Sequence, residues 1–198
     1  MRWPALCLTA LLLMLAASAS ANEAVSICYN YGCLSEDEVL YSDVQLRRVR
    51  ELLADAHGAV HERALVGVAV GWMLGWAGEQ TPVSADRGGN YADDAVHGRM
   101  DCIDHSTTTT RLLRLMEGRG WLRFHRVLEP ALRTNFFIFD HYSAQIEETE
   151  SPASEGDEAA RYVVDSWFFD NGQPAVVMPL ENWLAGEGPD VEHEREQR

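Results

Sequence analysis

The chain of 198 residues contains no lysine at all. Arginine alone carries the positive charge, 16 residues against 31 acids, for a formal net charge of −15 at pH 7. So acidic a surface repels polyanions, which argues against nucleic acid or an anionic membrane as a partner. It suits calcium or basic peptides better. Long apolar runs are also missing. Leu6 to Ala17 is shorter than the roughly 20 residues that span a bilayer. Arg2 before it and Ala19-Ser20-Ala21 after it make a secretory signal, cleaved near Ala21. The expected product is exported, periplasmic or secreted, and does not span a membrane. Residues 22–184 then form a single domain, and 185–198 a disordered charged tail. No internal repeat is present.

Cysteine is scarce, and its number is informative. Of four, Cys7 leaves with the signal. In an oxidising compartment Cys28 and Cys33 pair across the flexible loop Tyr29-Asn-Tyr-Gly32. Cys102 is left over, and an unpaired thiol in an exported protein needs a reason. It opens a segment, Cys102 to Glu117, that reads as a helix ended by Gly118 and Gly120. A thiol at a helix N-terminus feels the positive end of the dipole and the unpaired first-turn N–H groups, which favour thiolate.

Before that helix, Ser35-x-x-Glu38 reads as a capping box opening a helix with Leu46, Val49, Leu52, Leu53 and Ala56 on one face. A second, core helix spans about Val60 to Ala77, and Thr81 to Met100 is a turn-rich loop approaching Cys102. After it, strands are expected over Trp121 to Leu128 (stopped at Glu129-Pro130), Phe136 to Glu147, Arg161 to Phe169 and Pro174 to Met178. Asp170-Asn-Gly-Gln supplies a hairpin turn, and Leu180 to Trp183 a short helix or turn. The fold class is α+β, helices packed on an antiparallel sheet.

In a hairpin centred near Ala153, His141 and Asp165 are equidistant from the tip. They fall opposite one another, or within a residue or two, with Cβ atoms about 5 Å apart if directly opposed. A carboxylate there holds one imidazole nitrogen and leaves the other for a thiol. Cys102, His141 and Asp165 thus form a candidate triad, working through an acyl-enzyme on an amide or ester. The Cys102 N–H is the natural oxyanion donor, with Asn90 or Tyr91 in the preceding loop as guesses for a second.

Asp101-Cys102-Ile-Asp-His105 opening a helix, His141 on an aromatic strand and Tyr162-Val-Val-Asp165-Ser-Trp167 before a turn resemble the transglutaminase-like superfamily, nearest to bacterial transglutaminase-like cysteine proteinases. The resemblance covers roughly Asn90 to Trp183. It implies a papain-like fold, Cys102 as nucleophile, His141 as base and Asp165 as its orienter. It implies a peptide or protein substrate and no required cofactor, with Asp101 and Asp104 as candidate calcium ligands. Arg99-Met100, Tyr142-Ser143 and Ser166 depart from the family's common residues beside the triad. The rival reading is therefore a non-catalytic binding or scaffold domain that keeps the fold.

A metal site at Cys102, Asp104 and His105 is the other rival, but a closed zinc site wants four ligands and no second Cys/His cluster exists. His57 and His61, four apart around Gly58, read as surface histidines. His125 reads as structural, and Asp140, on the opposite strand face from His141, as a weaker orienter. A thiol-redox role is weakened because Cys102 has no nearby partner cysteine.

Overall fold

The computed structural model describes residues 22–90, 93–135, 139–149 and 160–189. The segment expected to be a signal, Tyr91 and the acidic stretch 150–159 lie outside these residues, as does the tail beyond 189. The elements are β1 (Glu23–Tyr29), β2 (Ser35–Tyr41), α1 (Asp43–Ala54), α2 (Ala59–Gly78), α3 (Cys102–Gly118), β3 (His125–Asn135), β4 (Phe139–Glu148), β5 (Arg161–Asp165), β6 (Val176–Pro179) and α4 (Leu180–Leu184). Strands β1 and β2 form a two-stranded sheet, and β3-β4-β5-β6 an antiparallel sheet in that order. The class is α+β. No helix among the described residues is long and apolar enough to cross a membrane.

Helix α3 is the centre of the arrangement, packing on β1 at one side and on β3 and β4 at the other. Its threonine run, poor in helix propensity, is used for tertiary contacts. Thr108 Oγ1 accepts the Cys28 N–H at 3.0 Å, and Thr109 Oγ1 meets Ser166 Oγ at 2.9 Å, both threonines fully buried. Leu112, Leu113 and Met116 join the main core with Val66, Val70 and Met73 of α2. Helix α2 also admits the chain before β6: a Cβ on Gly71 would lie 2.4 Å from the Gln173 carbonyl oxygen. That close approach lets the Ala175 N–H reach the Gly67 carbonyl at 3.0 Å.

Three expectations change, the first being that the strand from Arg161 stops at Asp165, short of Phe169. Ser35 to Glu38 does not open a helix; it starts β2, paired with β1 from Glu23↔Tyr41 to Tyr29↔Ser35. Val39 and Tyr41 face the core while Glu36, Glu38 and Leu40 point outward, which is the period of a half-buried strand. The capping box of α1 is instead Ser42 with Gln45. Nor does Glu129-Pro130 stop β3. The strand runs on through a register shift between Leu128 and Ala131, which an edge strand tolerates because proline's missing donor can face outward.

Candidate active site

Asp101 is the N-cap of α3, and Cys102 its first residue. Asp101 Oδ1 accepts the N–H groups of Ile103 and Asp104 at 3.0 and 2.9 Å, and Asp104 Oδ2 accepts the Asp101 N–H at 3.0 Å. Both halves of a capping box are therefore made around Cys102. Cys102 is partly exposed and is the free cysteine among the described residues. Its Sγ lies 3.8 Å from the Asp140 carbonyl oxygen, so α3 aims the thiol at β4.

His141 is on that strand. Its Nε2 lies 2.8 Å from Asp165 Oδ2, and the Cys102 thiol lies near enough to its ring to help raise its pKa. With Nε2 given to Asp165, Nδ1 is the nitrogen left for sulfur. The register differs from direct opposition. β4 and β5 pair Ala144 with Val164 and Gln145 with Val163, which sets Ser143 against Asp165. The offset from His141 is two residues, an even number, so both side chains keep one face and the reach is diagonal.

Asp165 is 2 % exposed and accepts more than the histidine. The Trp183 indole Nε1–H donates to Oδ2 at 3.0 Å, and the Trp167 N–H to Oδ1 at 3.2 Å. These donors keep the carboxylate turned toward His141. The imidazole sits among Trp167, Phe168 and Trp183, ring centroids 5.0, 5.9 and 5.6 Å away. Burial would push its pKa down. The bond to Asp165, the bond to Cys102 and the charges of both outweigh burial and lift it to about 9. At neutral pH His141 is an imidazolium.

Trp183 could not be read as part of the site from sequence. It lies in the five-residue helix α4, and only folding brings its indole to Asp165. Arg133, opposite His141 in the β3–β4 ladder, stacks on the Trp183 ring at 4.6 Å and donates to its carbonyl at 2.6 Å. The loop before α3 is anchored on the same side. A Cβ on Gly88 would lie 2.3 Å from the Phe169 backbone, and the Gly89 N–H donates to the Trp167 carbonyl at 2.7 Å.

The other candidates go elsewhere. Asn90's side-chain amide donates to Asp93 Oδ2 at 2.9 Å, and Tyr91 lies outside the described residues. Asp101 and Asp104 give their oxygens to backbone N–H groups, including those of Tyr31, Gly32 and Cys33. His105, fully buried, turns away from Cys102 toward Asp86 and Ser166. Asp140 receives the Thr134 hydroxyl, away from the imidazole. His125 is buried against Glu62 at 2.9 Å. His57 and His61 lie at the start of α2, Nδ1 to Nδ1 2.6 Å. Cys28 and Cys33 form a disulfide, Cα atoms 4.7 Å apart. Comparison with protein-family models, curated proteins and solved structures gives no match.

Proposed function

We propose that the protein is an exported thiol hydrolase, acting on a peptide or amide bond through Cys102, His141 and Asp165. The observation that carries this is the imidazole of His141, hydrogen-bonded to Asp165 through Nε2 and neighboured by a free cysteine at a helix N-terminus that helps raise its pKa. In this reading the Cys102 thiolate attacks the carbonyl carbon, and the carbonyl electron pair moves to oxygen. The Cys102 N–H, at the positive end of α3, faces that oxyanion. Collapse expels the amine, which takes the proton of His141 Nδ1, leaving a thioester on Cys102 and a neutral imidazole. Water then attacks the thioester, giving its proton to Nδ1, and the acid leaves as Cys102 regains the thiolate. Asp165 holds the tautomer throughout and steadies the imidazolium. No cofactor is needed for these steps.

The order of cysteine on a helix, then histidine and aspartate on neighbouring strands, agrees with the transglutaminase-like resemblance. A papain-like descent belongs to the proposal on that basis. So do export, which rests on the leader, and a peptide or protein substrate.

An activated acyl ester such as p-nitrophenyl acetate tests the reading, with intact mass and peptide mapping as readout. The expected result is a thioester on Cys102 that discharges in water, absent in Cys102→Ala and formed far more slowly in His141→Ala. An unmodified Cys102, or an adduct indifferent to His141→Ala, overturns the enzyme and assigns the fold a binding role.

A further inference from the structure

Residues Asn30, Tyr31, Gly32 and Cys33 all have left-handed backbone, φ +67°, +63°, +67° and +57°. Three are not glycine, and each such residue costs roughly 1–2 kcal/mol relative to right-handed backbone. The disulfide between Cys28 and Cys33 closes the left-handed run into a small ring.

What the run achieves is a row of N–H groups on one side. Tyr31 N–H donates to Asp104 Oδ2 at 2.8 Å, Gly32 N–H to Asp101 Oδ2 at 2.9 Å and Cys33 N–H to Asp104 Oδ1 at 2.6 Å. These are the two carboxylates of the capping box around Cys102. Asn30 holds the preceding segment as well. Its N–H donates to the Arg99 carbonyl, and its Oδ1 accepts the Gly98 N–H, both at 2.8 Å. The nucleophile is thus flanked on both sides by residues fastened to one turn.

We propose that the disulfide-closed turn Asn30–Cys33 is the positioning element of the Cys102 nucleophile, ordering the first turn of α3 through Asp101 and Asp104 until the Cys28–Cys33 bond is opened. The inference rests on the reading of Cys102 as nucleophile. Asp104 is fully buried. Burial raises its pKa to about 6; the Asp101 N–H opposes the rise, and the Asp101 charge reinforces it. With the turn relaxed, Asp104 loses two of its three donors, and a buried carboxylate short of donors turns to water. The capping box then opens and Cys102 loses its fixed aim at His141. A dithiol reductant triggers the same release in the wild-type chain: the disulfide gains two electrons and two protons to become two thiols as the reagent closes to its own disulfide.

The full-length Cys28→Ser/Cys33→Ser variant tests this, with Asp104→Asn as a second variant that keeps the disulfide. Two readouts are taken at pH 7: amide hydrogen exchange along α3, and the iodoacetamide rate on the peptide carrying Cys102. Both variants are expected to lose protection at Ile103 to His105 while keeping it at Leu112 to Met116. The Cys102 rate is expected to fall about tenfold or more, because a nucleophile displaced by about 1 Å loses much of its assistance. Protection and rate unchanged in both variants, or a rate that rises, overturns the proposal. If the double variant unfolds, Asp104→Asn decides. If His141→Ala leaves the wild-type rate unaltered, the catalytic reading fails on its own account and the exchange data alone judge the clamp.

Discussion

Helix α3 carries two functional-looking residues three positions apart, and they end in contrasting places. Cys102 faces His141, which is bonded to Asp165; His105, one turn on, is bonded to Asp86 at 3.0 Å. Both are buried histidine–carboxylate pairs, and both imidazoles are raised above the ordinary histidine range. For His105 burial opposes the rise, and the charge and hydrogen bond of Asp86 win. Neither burial nor pKa therefore tells the catalytic candidate from the structural one. The difference lies in the second nitrogen. His105 Nδ1 meets Ser166 Oγ at 2.9 Å, so the ring is closed off on both sides. His125 is closed in the same way, between Glu62 and Arg63. His141 spends one nitrogen on Asp165 and turns the other to a partly exposed thiol. A histidine–acid pair becomes chemistry only where the remaining nitrogen meets a group that can react.

The largest test of this contrast is removal of the reacting groups. Cys102→Ala and His141→Ala are each expected to lower acyl transfer by about 10³-fold or more, with an unfolding transition near wild type in Cys102→Ala and a lowered one in His141→Ala, where Asp165 loses its buried partner. Asp165→Asn keeps the shape but turns an amide toward His141, and a loss on the order of 10²-fold or more is expected in the same assay. His105→Gln should break the comparison from the other side. Urea unfolding is expected to show a loss of about 3 kcal/mol as the buried Asp86 loses its imidazole hydrogen-bond partner. The Cys102 acylation rate of the folded fraction should stay within severalfold of wild type. Trp183→Phe removes one neutral donor from Asp165, so an effect of about 1 kcal/mol, or up to tenfold in rate, is expected.

The smallest effect is the pH dependence of stability. A histidine pKa raised from about 6.5 to about 9 contributes stability that is complete below the unfolded value and lost as pH rises through the folded one. The thermal-melt advantage of wild type over His141→Gln should therefore be present at pH 6 and vanish by about pH 9.5. An advantage that grows over this range contradicts an imidazolium at position 141.

The site was readable in the sequence further than the fold was. Cys102 could be singled out by subtraction, with Cys7 in the expected signal and Cys28 and Cys33 expected to pair. His141 and Asp165 could be found by their equal distance from an acidic tip, and the face survived a register that differs by two residues because side chains alternate with period two. Trp183 could not, since its role depends on where α4 lands rather than on any local pattern. Ser35 to Glu38 carries a helix-start signature in a segment that β1 pairs as a strand. There a non-local ladder with β1 outweighs a local preference. Pro130 looked like a stop because its place at the sheet edge, where a missing donor costs little, is a property of the assembled sheet.

The most direct measurement needs no substrate. Iodoacetamide labelling of Cys102, followed by mass spectrometry at pH 7 in wild type and His141→Ala, reads whether the imidazole assists the thiol. A wild-type rate at least about tenfold higher is expected, since activated cysteines are those paired with a cationic neighbour. Equal rates in the two proteins would contradict the claim that Cys102 and His141 act as one unit.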